Sequence, residues 1–415
     1  MKSPTHYAVI GAGLIGLCTA LELLHRGCKV TLVEQDSPGK GASFGNAGFI
    51  ASELIDPLAT GQNIRNAWSM LKDPQGALAL PIKNLPHSLP WMLRFALAAR
   101  PKAVEAGRES LARLLRPAVP AWKTLLGREG LSQHLHQTHY LRVWEKAEGV
   151  GAARAEQAFY NDWGISAHFA DSEQVATLEP ALRGRVHHAI MLPDAHRVSD
   201  PYLLSQALLK RFTAQGGVLL QEQVLSLRPV GSQVELVSHR AAQTFSKAIV
   251  CGGAHSSGLL KTLGLRVPLM AERGYHLNLT KVHGLINGPV CSAERNVFIS
   301  PLEGGLRIVG FSELGGVHLP ANPARYGALR HHLGALLPQT RPHLEQAGEW
   351  MGMRPTLPDS LPVIDTHPDC PQIGFAFGHQ HAGLTLAAVT GQLIADRMTG
   401  AGDSVDLRAY GVTRF

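Results

Sequence analysis

The apolar positions open as a strand, a helix and a second strand in immediate succession. His6–Ile10 is a short apolar run, Gly11-Ala12-Gly13-Leu14-Ile15-Gly16 follows at once, and helical periodicity continues to Arg26. Gly27 stops that run, Cys28–Val33 is the second strand, and Glu34 ends it. Gln35–Gly48 is rich in turn residues. Ser52–Tyr160 carries helical patterns broken by Pro57, Pro74, Pro81, Pro86, Pro90, Pro101, Pro117 and Pro120, which predicts several helices and an extended loop around residues 72–90.

Pro201–Gln215 reads as a helix capped by Ser199 or Asp200. Gly217–Val237 alternates like a hairpin, and Ala248–Cys251 is a buried strand running into Gly252-Gly253. Tyr275–Leu279, Val297–Ile299 and Leu306–Phe311 predict strands of a second sheet. Gly374–Phe377 is a strand that meets Gly378, and Leu384–Met398 is a terminal helix. The layout predicts an α/β fold in which both ends form one Rossmann-like domain, from residues 1–52, about 150–265 and 350–415. The inserted substrate domain, about 53–149 and 266–349, is expected to be α+β, with a mixed or antiparallel sheet and helices.

Size and charge narrow the function. A chain of 415 residues with 45% hydrophobic content holds two or three domains, and 17% charged residues without a polar tract exclude disorder. The net charge of +7 is scattered, without the dense basic patch that nucleic-acid binding needs. The 5 cysteines are odd in number and form no C-x-x-C pair, so neither a metal site nor a disulfide scaffold is expected. Cys18 and Cys251 sit in apolar elements as buried thiols, which fits a reducing compartment. Tyr7–Leu21 is uncharged but too short to span a bilayer, and only Lys2 precedes it as a side-chain cation. A cytoplasmic protein is expected, either soluble or peripheral on the inner face of the membrane.

The first chemistry lies in the glycines. In the G-x-G-x-x-G pattern Gly11 permits the tight turn, Gly13 lets a pyrophosphate approach the backbone, and Gly16 lets the helix pack closely. The helix N-terminus offers free N–H groups to phosphates, and Glu34 stands where a ribose-binding carboxylate is expected. An acid there repels a 2′-phosphate, which disfavours NADP. Small residues dominate Gly41–Gly48, so a large ligand can approach the backbone closely; Ser43 can donate to a phosphate, and Asn46, Ala47 and Gly48 can face a flavin ring. On spacing alone an ordinary surface turn accounts for this segment equally well.

Together, Gly11–Glu34, Ala42–Gly48, Arg273-Gly274-Tyr275-His276, Gly352-Met353-Arg354-Pro355-Thr356-Leu357-Pro358-Asp359 and Gly378-His379-Gln380-His381-Ala382-Gly383-Leu384-Thr385 resemble the FAD-dependent D-amino-acid dehydrogenase family, a relative of glycine oxidase and sarcosine oxidase. The order of motifs matches from residue 6 to about 398. The resemblance implies that Arg354 pairs with the substrate carboxylate, with Tyr275 and His276 near flavin and substrate. It implies FAD contacts from Gly11, Gly13, Leu14, Ile15, Gly16, Glu34, Gln35, Ala42, Ser43, Asn46, Ala47 and Gly48. Val224 would meet the adenine through its backbone, and Gly252, Gly378, His379, Gly383, Leu384 and Thr385 would complete the site. The Gly378–Thr385 loop would run beneath the pyrimidine edge of the flavin and aim a helix N-terminus at N1 and O2. His379 and His381 would add hydrogen bonds or positive charge, although a lone turn histidine is more often structural. Some relatives attach flavin through a histidine of the first loop; Gly45 and Asn46 stand there instead, and Cys370 has no motif around it, so FAD is expected to be non-covalent.

The expected reaction is oxidation of a D-amino acid by hydride transfer from Cα to flavin N5, giving an imino acid and then a 2-oxo acid and ammonia. A cis-4-hydroxy-D-proline or other secondary-amine dehydrogenase shares every motif. An electron-relay flavoprotein subunit of a complex would need Glu34 and the glycines but not Arg354; an NAD dehydrogenase is disfavoured by the Gly41–Gly48 loop. The acceptor is either oxygen or a quinone of an electron-transport chain, and the oligomeric state is not encoded in any motif. Leu89–Arg100 is apolar with flanking arginines and suits a membrane surface, while inward packing as a lid or core helix is the commoner fate of such a pattern.

Overall fold

The computed structural model describes residues 4–73 and 75–415, so Lys2 and Pro74 lie outside the described residues. The opening strand His6–Ile10 takes a central place in a six-stranded sheet. Its order is Val363–Thr366, Ile373–Phe377, Lys247–Val250, His6–Ile10, Lys29–Glu34, Val218–Gln221. All pairs are parallel except the first, so strands from both ends of the chain share one sheet, in a doubly-wound pattern.

The helix Leu14–His25 crosses this sheet and packs on the last long helix, Gly383–Thr399, through fully buried Leu17, Leu21, Leu386 and Ala387. Each such leucine contributes about 2 kcal/mol of burial. The Tyr7 hydroxyl donates to the Met398 carbonyl at 3.0 Å, and the Trp122 indole donates to the Leu384 carbonyl at 3.0 Å. The two termini are thereby fixed around one core.

The second sheet is larger. Its order is Gly348–Thr356, Met270–Leu279, Gly305–Glu313, Val297–Leu302, Val290–Ser292, Leu135–Trp144, His188–Val198, Phe49–Ile50; Leu78–Ala79 and His168–Asp171 add to it. One face packs under the helix Pro323–Leu336 through Leu141, Val143, Leu277, Ile299 and Ile308. The other face turns towards the six-stranded sheet.

Several expectations change here. Leu135–Trp144 is a strand within a stretch read as helical, because Leu141 and Val143 alternate with Tyr140, Arg142 and Trp144 on opposite faces. Val218–Gln221 leaves the expected hairpin and extends the parallel sheet; Val224–Val230 and Gln233–Ser238 form the hairpin with Ala242–Phe245. The strands His168–Asp171 and His188–Val198, expected in the nucleotide domain, pair in the larger sheet. Asp200, not Ser199, caps Pro201–Ala214, accepting from the Tyr202 and Leu203 amides. Within the expected loop at 72–90, a helix begins at Leu85 and runs to Ala98 with Pro90 inside it.

Among the described residues all five cysteines are free, no group of His, Cys, Asp or Glu is placed to hold a metal, and no helix is long and apolar enough to cross a membrane.

Candidate functional site

A cavity of about 1240 Å³ lies between the two sheets. It starts at the glycine turn. Gly11 adopts φ +106°, and a Cβ there would stand 2.5 Å from the Cys251 carbonyl oxygen; a Cβ at Gly16 would overlap the Gly11 carbonyl oxygen. Strand, turn and helix are therefore in contact through bare backbone. Gly13 is the N-cap and brings no side chain, so the first-turn amides are left for a ligand, except that Ser43 Oγ accepts from the Leu14 amide at 3.1 Å. Glu34 is fixed at the edge of the cleft: Oε2 accepts from the Ala12 amide at 2.7 Å and Oε1 from the Asp36 amide at 3.1 Å. Gln35, Val224 and Gly252 border the same end.

The middle of the cavity is bordered by Ala42, Ser43, Asn46 and Ala47 on one side and by Gly378, His379, Gly383 and Leu384 on the other. The loop carrying Asn46 is braced from behind. Arg307, a buried arginine of the Gly305–Glu313 strand, donates through Nη1 to the carbonyls of Phe44 at 3.0 Å and Asn46 at 2.8 Å. Asn46 Oδ1 accepts from the Gly48 amide at 2.8 Å. His276 also belongs to this brace. Its ring stacks on Trp350 at 5.0 Å, its Nδ1 lies 3.3 Å from the Gly45 carbonyl, and burial pushes its pKa down to about 3. It does not border the cavity, so the expectation that it stands beside flavin and substrate is replaced by a supporting position. Gly16, Gly48 and Thr385 lie behind the wall as well; Thr385 Oγ1 accepts from the Ala51 amide at 2.9 Å and ties the loop to the last helix.

His379 does border the cavity, but burial holds its pKa near 3, and Nε2 lies 3.0 Å from Thr390 Oγ1. The ring is neutral, so it brings no positive charge. Electrostatic attraction at this end comes instead from the N-terminus of Gly383–Thr399, whose N-cap Ala382 supplies no side-chain bond.

At the far end stands Arg354. Its Nη1 donates to Glu272 Oε1 at 3.0 Å and to the Phe311 carbonyl at 2.8 Å. The guanidinium lies flat on the backbone of Gly274, where a Cβ would overlap it. Among the described residues, protein acceptors take only Nη1, and the side chain is 20% exposed into the cavity it borders. Glu272 is buried. Burial pushes its pKa up, but His381 at 3.3 Å, Arg354 and the Ser312 hydroxyl at 2.6 Å overcome that and hold it well below the usual carboxylate range. A fixed anion thus orients the arginine.

Tyr275 touches the cavity, yet its ring packs with Leu277 and Leu329 in the layer beneath the helix Pro323–Leu336. Its hydroxyl donates to Glu313 Oε1 at 3.1 Å and accepts from the Asn322 amide at 3.1 Å. Strand alternation sends Tyr275 and His276 to opposite faces, and the Tyr275 hydroxyl is spent on Glu313 and the Asn322 amide.

Glu272 and Arg307 belong to no motif of their own; the one signal for Glu272 is its place immediately before Arg273-Gly274-Tyr275-His276. Glu53 and Arg142 also border the cavity, and only folding brings them there.

The cavity fits FAD. It is long, has a glycine turn at a helix N-terminus for a pyrophosphate, a carboxylate for a ribose and a second helix N-terminus at its middle. Comparison with known proteins agrees. A family model described as FAD dependent oxidoreductase (DAO) matches residues 6–397. A D-amino-acid oxidase of Bradyrhizobium diazoefficiens is 28% identical over 433 aligned positions, covering 100% of both chains. D-amino acid dehydrogenase 2 of Ralstonia nicotianae is 29% identical, covering 98% of this chain and 99% of its own. The crystal structure of glycine oxidase from Geobacillus kaustophilus superposes with a TM-score of 0.75 at 22% identity, covering 99% of each chain.

Proposed function

The chain belongs to the FAD-dependent oxidoreductase family, and from that membership we propose that it oxidises D-amino acids to imino acids, which water hydrolyses to 2-oxo acids and ammonia. Support comes from the relatives named for D-amino acids and from one observation in the cavity. Arg354 is held by Glu272 and the Phe311 carbonyl, and its remaining donors open into the space that the dinucleotide cradle shares. A planar guanidinium with unspent donors binds a carboxylate through two parallel bonds.

FAD, when bound, supplies the redox chemistry by accepting a hydride. The chain's part is positional. Arg354 anchors the substrate carboxylate, Glu272 fixes the angle of the guanidinium, and Val309 and Phe298 offer an apolar floor from the large sheet that excludes water. An amine bound in its neutral form needs no dedicated base, so orientation of Cα carries much of the rate. His379, neutral and bonded to Thr390, supports the loop at the middle of the cavity rather than carrying charge. The glycine turn, Glu34 and the two helix N-termini would hold the cofactor, without a covalent bond.

The electron acceptor is assigned to a membrane quinone. Leu85, Leu89, Leu93 and Leu97 form an exposed stripe along the helix Leu85–Ala98, with Ile82 beside it. No acidic residue occurs between Asp73 and Glu105, and Lys83, Arg94, Arg100 and Lys102 are all exposed there. Trp91 anchors the helix from below, donating to the Thr356 carbonyl at 3.2 Å. An outward leucine stripe with cations around it suits an anionic lipid surface.

Steady-state assays of the FAD-loaded protein with a dye acceptor test the reading. Turnover of D- but not L-amino acids is expected; turnover confined to secondary amines such as cis-4-hydroxy-D-proline would move the assignment to that class.

A further inference from the structure

The cavity holds a second guanidinium that the reaction above does not use. We propose, building on that reading, that Arg142 together with Glu53 binds a second carboxylate at the end of the substrate's side chain, so that acidic D-amino acids are preferred.

The register of the large sheet places Arg142. Val309 pairs with Phe298, Phe298 with Cys291 and Cys291 with Arg142, so these four share one row across adjacent strands. All four border the cavity. Neighbouring strands lie about 4.8 Å apart, so the row leads from the apolar floor directly to the arginine. Arg142 lies on an interior strand, yet 32% of its side-chain surface is open, and it borders the cavity. Nε sits 3.1 Å from Glu156 Oε2 but makes no hydrogen bond of good geometry. A guanidinium is always charged and carries five donors. Donors that open into the cavity and are not taken by protein acceptors are available to a ligand.

Glu53 is 6% exposed and borders the same space. Burial pushes its carboxyl up to about 8, with Arg142 pulling in the opposite direction, so at neutral pH it presents an O–H donor beside the arginine. Both groups then offer donors, and the complementary ligand is rich in acceptors. Beside Arg142 on the cavity wall, the rings of Phe49, Tyr140 and Phe298 pack on one another with centroids 4.8, 5.2 and 5.6 Å apart. That apolar wall suits a methylene stem. A site built of hydrogen-bond donors rejects ligands that leave them unpaired.

The test uses FAD-loaded full-length protein with a dye acceptor. Wild type is expected to oxidise D-glutamate with kcat/KM about 30-fold or more above that for D-norvaline. Arg142→Met should erase that ratio, chiefly through KM for D-glutamate, and Arg142→Lys should restore part of it. A ratio near one in wild type, or a ratio unchanged in Arg142→Met, overturns the proposal. If the Met variant does not fold, competition in wild type decides: glutarate should inhibit about tenfold or more tighter than valerate, and equal inhibition overturns the proposal. Oxidation of neutral D-amino acids alone sinks this inference and leaves the parent function standing. Oxidation of no D-amino acid sinks both.

Discussion

Glu272 Oε1 and Arg354 Nη1 are 3.0 Å apart, and this pair sets the direction in which the arginine's remaining donors point. The carboxylate is buried and also held by Ser312 and Thr356 hydroxyls at 2.6 and 2.9 Å, so it has little freedom to follow a moving partner. Arg354→Ala should therefore raise KM about 100-fold or more, on the order of 3 kcal/mol of lost charge-assisted bonding, with FAD still bound. Glu272→Gln keeps the shape but loses the fixed charge, and a rise of about tenfold in KM is expected. Steady-state kinetics beside a flavin absorption spectrum check both; an unchanged KM in Arg354→Ala removes the anchor.

The two later glycines of the turn separate folding from cofactor binding. A Cβ at Gly16 would overlap the Gly11 carbonyl, whereas a Cβ at Gly13 would meet only Ser43 Oγ at 3.4 Å. Gly13→Ala should give a folded, largely colourless protein with FAD affinity down about tenfold or more, while Gly16→Ala should lower the melting temperature as well. Differential scanning and FAD titration tell them apart. Acid precipitation of wild type should leave the yellow colour in the supernatant, as non-covalent binding requires.

Glu53 gives a pH signature. Its carboxyl is raised from 4.5 to about 8 in the folded chain. Below the lower value both folded and unfolded forms are protonated, and burial costs nothing extra. Between the two values the unfolded carboxyl ionises while the folded one does not, so stability falls as pH rises, and the cost is complete above about 8. Glu53→Gln should therefore stabilise by a few kcal/mol at most near pH 8 and leave stability nearly unchanged near pH 4. Thermal unfolding of the FAD-loaded protein at both ends of the range measures this; an equal shift at both removes the assigned cause.

The exposed leucine stripe predicts lipid binding. The protein should cosediment with phosphatidylserine vesicles at low salt and much less with phosphatidylcholine, and Leu89→Gln/Leu93→Gln should abolish cosedimentation without lowering dye-linked activity. Cosedimentation that ignores both lipid charge and the substitutions contradicts the assigned surface.

What the chain reveals in advance, and what it hides, has a physical basis. The glycine turn and the closing strand–Gly–helix unit are local, set by residues a few positions apart; Arg354 is legible through the motif around it, whereas the Glu272 carboxylate that orients it is 82 residues away. Leu135–Trp144 escapes because its outward positions, Tyr140, Arg142 and Trp144, face a cavity and other side chains rather than water, so no polar alternation marks it. Arg142 and Glu53 meet at one cavity, and Arg307 clamps the Phe44 and Asn46 carbonyls, only once segments far apart in sequence are brought together by the fold. Tyr275 and His276 adjoin in one motif, yet a period of two lets only one of them share the cavity face, and that one sits behind the loop.

The most direct test is anaerobic addition of D-amino acids to the purified, FAD-loaded chain while following the visible flavin absorption. Rapid bleaching by D-amino acids, absence of bleaching by their L-enantiomers, and slow or absent bleaching in Arg354→Ala are the predicted results. A flavin that stays oxidised with every D-amino acid, or that bleaches equally in Arg354→Ala, would contradict the account.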